Sequence, residues 1–163
     1  MLTEALILDA SPVIVLGKTR LLGAVSPLVQ RWIIPERVVE EVEIKEPIEP
    51  FLLMLQSESE VERTMVSQIS PEVANWDLGD GESAVLTYGL KHSGCQAVLD
   101  DREARKCAEV LGLPMMGTLG VVLAAYRKGF LPSARESIDT LIEAGLYVHP
   151  SLLDTVYRAI DER

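Results

Sequence analysis

Apolar residues in this chain fall into short unbroken runs that alternate with longer stretches of helical spacing. "ALIL" (residues 5–8) is a continuous apolar run closed by Asp9, as expected of a strand buried on both faces. "RWIIP" (31–35), "CQAVLDD" (95–101) and "PMMG" (114–117) read as further strands, and "VSQIS" (66–70) as one more short candidate. Between them lie helical patterns. "SPVIVLGKTRLL" (11–22) starts with Ser11 as N-cap and Pro12 at the first helical position. "ERVVEEVEIK" (36–45) puts Val38, Val39 and Val42 on one inner face. "LGDGESAVLTYGLKH" (78–92) opens with turn chemistry and continues as a helix with Ala84, Val85, Leu86 and Leu90 inward. "REARKCAEVLGL" (102–113) carries Ala104, Ala108 and Leu111 at helical spacing, and "TLGVVLAAYRKGFL" (118–131) is a helix capped by Thr118. "KEPIEP" is a turn, "FLLMLQSESEVERTM" (51–65) is helical in part, and two more helices fill 133–145 and 149–163.

Strands alternating with helices predict an α/β fold, a three-layer α/β/α arrangement around a central parallel sheet of four to five strands. The expected organisation is one domain, 1–163, with a core over about 1–130 and a helical C-terminal extension over about 131–163. In such sheets ligands sit beyond the carboxyl ends of the strands.

Composition narrows the function classes. The formal charge is −10, from 15 basic and 25 acidic residues, which argues against gripping nucleic acid by a general basic surface. It leaves room for a protein that meets phosphates through metal ions. No apolar run approaches the roughly 20 residues that span a bilayer, so no membrane role and a cytoplasmic location are expected. The two cysteines, Cys95 and Cys107, form neither a CxxC pair nor a zinc set and read as reduced thiols. His92 and His149 lie far apart, without metal-ligand spacing.

The chemistry is carried by carboxylates. Asp9 ends the first strand, and the adjacent pair Asp100–Asp101 ends a later one. Glu41 lies on the helix after the second strand, and the turn "LGDGES" adds Asp80 and Glu82. Each alone has an ordinary explanation as a solvated charge or a helix-start acid. Together, with no His or Cys ligands, they make an oxygen-rich set suited to a hard cation, Mg²⁺ or Mn²⁺. A cation also explains two neighbouring acids at a strand end: one binds or positions it while the other caps the next helix.

The stretches "LILDASPVI", "IIPERVVEEV", "LGDGESAVLTYGL" and "AVLDDREARKCAEVLGL", in this order, resemble the PIN-domain (PilT N-terminus) family, which includes the VapC-type toxins. "GTLGVVLAAYRKGFL" is similar to a stretch of a poorly characterised PIN-like branch. The resemblance covers most of residues 5–130 and implies a metal-dependent ribonuclease acting on single-stranded RNA. It carries the acidic site to Asp9, Glu41, Glu82 and Asp101, with Ser11 as the small polar residue after the first acid. Asp80 stays open as an alternative to Glu82, and Asp100 is kept beside Asp101 as a metal ligand. Lys18, Arg20, Arg102 and Arg105, close behind strand-end acids, are candidate phosphate contacts together with Ser11. The family likeness further implies a toxin–antitoxin pair with a small antitoxin, and a homodimer. The competing reading is a non-catalytic module on the same scaffold, binding nucleic acid or protein. "LDASPV" lacks the second Asp of a haloacid dehalogenase-type phosphatase, and "GTLG" lacks the Gly-Lys-Ser/Thr of a phosphate loop.

Overall fold

A computed structural model describes residues 4–161. Five parallel strands form one sheet: β1 (Ala5–Leu8), β2 (Arg31–Pro35), β3 (Glu60–Thr64), β4 (Cys95–Val98) and β5 (Met115–Met116), in the order β3-β2-β1-β4-β5. Ala5 is level with both Arg31 and Cys95, so β1 is paired on each side. All four of its residues are buried, which is why its sequence is uninterrupted apolar rather than alternating. Helices cover the sheet in a three-layer α/β/α arrangement, as the sequence pattern predicts.

The order of the strands fixes where a site can form. Successive strands run outward from β1 through β2 to β3; the chain then crosses back to β4 beside β1 and continues to β5. The carboxyl ends of β1 and β4 therefore flank the point where the winding reverses, and a crevice opens there.

The helices are α1 (Ala10–Lys18), α2 (Leu21–Val25), α3 (Glu36–Lys45), α4 (Glu49–Leu55), α5 (Pro71–Ala74), α6 (Asp80–Lys91), α7 (Arg102–Val110), α8 (Thr118–Arg127), α9 (Ala134–Glu143) and α10 (Pro150–Asp161). A short 3₁₀ turn spans Ser26–Leu28. Three of them, α7, α8 and α9, end alike. Gly112, Gly129 and Gly145 take positive φ, and the next residue's N–H reaches back to the carbonyl five residues earlier. Among the described residues no helix is long and apolar enough to cross a membrane.

Several expected boundaries move. The third strand is Glu60–Thr64, inside the stretch expected to be partly helical, whereas "VSQIS" is irregular. Glu60, Glu62 and Arg63 favour a helix on local grounds, but pairing along β2 overrides that preference. Ser59 locks the start with hydroxyl bonds to Ser26 O and Val29 O, each 2.6 Å. Arg63 pairs with Glu36 at 2.7 Å, and the charges suit an edge strand. The helix expected over 11–22 is two helices, because Thr19 turns its hydroxyl back onto Val15 O (2.8 Å) and Arg20 adopts a left-handed φ of 64°. The first helix is capped by Asp9 rather than Ser11, and α8 by Gly117 rather than Thr118. Cys95 and Cys107 are free and buried.

Helix α1 packs on α4 at Gly17. A Cβ there would lie 2.5 Å from two ring atoms of Phe51. Gly17→Ala should therefore destabilise the fold by about 1–3 kcal/mol in urea denaturation. In a Phe51→Ala background the same change should cost markedly less, because the clash has been removed.

Candidate active site

Asp9 is the first residue beyond β1. Its backbone N–H donates to Val98 O of β4 at 3.3 Å, which ties it to the reversal point of the sheet. The residue is only 4% exposed, and its Oδ1 is a buried oxygen with no hydrogen-bond partner. Burial is the main cause that lifts its pKa from 3.8 to about 7; the Ala10 N–H opposes this, and Glu41, Asp100 and Asp101 add to it.

The other acids reach the same cleft from different elements. Val38 and Val42 bury one face of α3, and Glu41, one turn beyond Val38 at the edge of that face, lines the cleft. Glu82 stands in the first turn of α6 and lines it too, whereas Asp80 is not among the lining residues. The Glu82 carboxyl is raised to about 7 by burial first, then by the charges of Asp9 and Asp101. Gly81 makes the approach possible: a Cβ there would lie 2.9 Å from Glu41 Oε2 and 3.4 Å from Asp9 Oδ1. A side chain at this position would occupy the space the two carboxylates face.

The adjacent pair divides its work. Asp101 is the N-cap of α7 and accepts from Ala104 N at 3.0 Å. Asp100 accepts the Thr118 N–H at 2.8 Å and the buried Thr118 hydroxyl at 2.5 Å, tying β4 to the start of α8. Both line the cleft. Each acid of the pair thus has a helix-start partner, so a cation is not needed to explain their adjacency. Asp9 Oδ1, by contrast, is a buried oxygen left without a hydrogen-bond partner.

The basic candidates separate. Lys18 lines the cleft and approaches Glu46 at 3.8 Å; Ser11 lines it as well. Arg105 turns inward and donates to Leu99 O at 3.1 Å, beneath the Asp100 loop. Arg20, at the turn between α1 and α2, and Arg102, at the start of α7, are not among the lining residues. Sequence reasoning missed Lys45, Ile44, Leu146 and Tyr147, which complete the cleft of about 630 Å³. Ile44 and Lys45 lie three and four residues beyond Glu41 on α3, a helical spacing that could have identified them. Residues 144–147 follow α9 and give no local signal.

The donor set suits a divalent cation chemically: carboxylate oxygens only, one buried and unpartnered, around a gap kept open by a glycine. Among the described residues no three His, Cys, Asp or Glu side chains form a ready-made metal-binding group. Closing the set would draw in the longer arms of Glu41 and Glu82.

The family model described as a PIN domain matches residues 5–162, nearly the whole chain. This chain belongs to the PIN-domain family. PIN domains are generally nucleases and typically use divalent metals, so the chain has a nuclease-type fold and the coarse expectation of a hydrolase. The match runs through α9 and α10. No curated protein and no solved structure matches the chain.

The raised acids have a measurable consequence. In the folded state Asp9 holds its proton to about pH 7, but in the unfolded chain only to about 3.8. The folded form binds the extra proton between these values, so this contribution to stability falls as pH rises through that window. Asp9→Asn should thus raise Tm over the unsubstituted protein in EDTA at pH 8, with the gap narrowing toward pH 4. A gap independent of pH would contradict the assignment.

Proposed function

We propose that this protein is a divalent-metal-dependent ribonuclease that hydrolyses phosphodiester bonds of single-stranded RNA. The observation that carries the reading is Asp9 Oδ1, buried and unpartnered at the reversal point of the sheet, facing a cleft with Glu41, Glu82 and Asp101. A buried polar atom without a partner costs on the order of 1–3 kcal/mol, so an acid kept there calls for a function.

Asp9, Glu41, Glu82 and Asp101, with Asp100 beside them, would hold Mg²⁺ or Mn²⁺. Bound there, the ion would supply an activated water and neutralise charge on the phosphoryl oxygens. The chain's own residues do the rest. Asp9 is held rigidly by the strand below it and the helix behind it. Asp101 is fixed by its cap to α7, and Asp100 by Thr118, so the acids at this end keep their spacing. Lys18 and Lys45 place positive charge on the wall of an otherwise acidic cleft, where a phosphate chain would pass. Ser11, two residues beyond Asp9, also lines the cleft. The role of toxin in a toxin–antitoxin pair, a homodimeric state and a cytoplasmic location are parts of the same reading and rest on the family resemblance.

The absence of a ready-made metal group among the described residues favours a second reading, a binding module without catalysis. Two measurements separate them. With a labelled single-stranded RNA, cleavage should need Mn²⁺, stop in EDTA, and fall on the order of a hundredfold or more in Asp9→Asn. Mn²⁺ should also raise Tm through mass action in the unsubstituted protein, and Asp9→Asn should lose that shift. Cleavage at the normal rate by Asp9→Asn sinks the nuclease assignment; no shift and no cleavage leaves the binding module.

A further inference from the structure

We propose that Tyr147 is a nucleobase platform of this cleft: the base next to the phosphate held over Asp9 stacks on its ring. The inference rests on the ribonuclease reading and names the part of the substrate that the acids do not touch.

Tyr147 lines the same cleft as Asp9, Glu82 and Lys18, yet it is 79% exposed. An aromatic residue left in water at the wall of a polar cleft contributes little to folding. Among the described residues its ring has no aromatic neighbour and its hydroxyl no hydrogen-bond partner. Its position is nonetheless fixed. Helix α9 is anchored by the buried Ile138 and Leu141 and ends at Gly145, whose φ is +113°. Gly145 N–H donates to Ile142 O and Leu146 N–H to Leu141 O, both at 3.0 Å. Leu146 then packs on the core, and the next residue, Tyr147, stands at the rim. The point from which the ring projects is thus set by the fold, and only the side chain itself is ordered when a base settles on it.

The surroundings define the occupant. Ile44, 82% exposed, adds apolar surface to the cleft, while Lys18 and Lys45 add cations. An exposed aromatic ring with flanking lysines is how proteins hold single-stranded nucleic acid without reading its sequence. The cleft, about 630 Å³, is large enough to take a nucleotide.

The test uses a short labelled single-stranded RNA with Mn²⁺, with binding measured by anisotropy in the Glu82→Gln background and cleavage in the unsubstituted one. Tyr147→Ala should weaken binding about tenfold and raise KM more than it lowers kcat, while Tyr147→Phe keeps both. Tm should not move, because the side chain is exposed. Abasic sites walked along the RNA should weaken binding to the Tyr147 protein at one position near the cut, and Tyr147→Ala should not sense that position. Equal affinity of Tyr147→Ala, or the same abasic penalty in both proteins, overturns the proposal and leaves the rim to a protein partner. RNA that binds with this abasic pattern but is never cleaved overturns the nuclease reading alone. RNA that does not bind at all overturns both.

Discussion

A carboxyl group that closes a buried strand is cut off from water below, and at Asp9 the charged neighbours that shift it are all acids. Much of the surrounding structure depends on that. Gly81 must lack a side chain, because a Cβ would press on Glu41 and approach Asp9. Gly117 is constrained in the same way at the neighbouring strand, where a Cβ would meet Asp100 Oδ1 at 3.0 Å and Arg105 Nη1 at 2.7 Å. Arg105, the nearest guanidinium on α7, is committed to Leu99 O. Arg105 therefore supports a backbone carbonyl, and it is not among the groups that shift Asp9.

This division explains how a chain with a formal charge of −10 could act on a polyanion. A basic surface would attract RNA everywhere. Here attraction would depend on a cation at one crevice, with Lys18 and Lys45 along its wall. Under the proposed function, affinity would then be coupled to occupancy of the cleft, and RNA elsewhere on the molecule would gain little.

The layered fold was legible because its signals are local. Four strands are short apolar runs, and the helices between them carry clear inner faces. β3 was not legible, since "EVERT" forms a strand only by lying along β2. The acids of the site could be read as strand-end and helix-start residues, and pairing β4 beside β1 brings Asp9 to the pair Asp100–Asp101. That one acid of the pair caps the next helix could be read, but the bond of Asp100 to Thr118 could not, because Thr118 is eighteen residues away along the chain. Nor could Tyr147. "LGL", "KGF" and "AGL" close three helices by the same glycine turn, and only the packing of α9 onto the rest decides that the third delivers a residue to the cleft.

For every acid of the proposed cation site except Glu41, which lies mid-way along α3, the helix-start explanation applies to the same residue. Asp9 precedes α1, Glu82 lies in the first turn of α6, Asp101 caps α7, and Asp100 holds the first residue of α8. A parallel sheet points the start of every following helix toward the carboxyl ends of its strands, so gathering acids there also gathers the positive ends of helix dipoles. Each dipole stabilises a nearby carboxylate by about 0.3–1 kcal/mol. Asp101 also accepts the Ala104 N–H as the cap of α7. The dipole contribution falls short for Asp9, whose desolvation is worth several kcal/mol and whose side chain makes no cap hydrogen bond. The dipoles can help to assemble the cluster, but burial still raises Asp9 to about 7, and under the proposed function a cation would favour its ionised form.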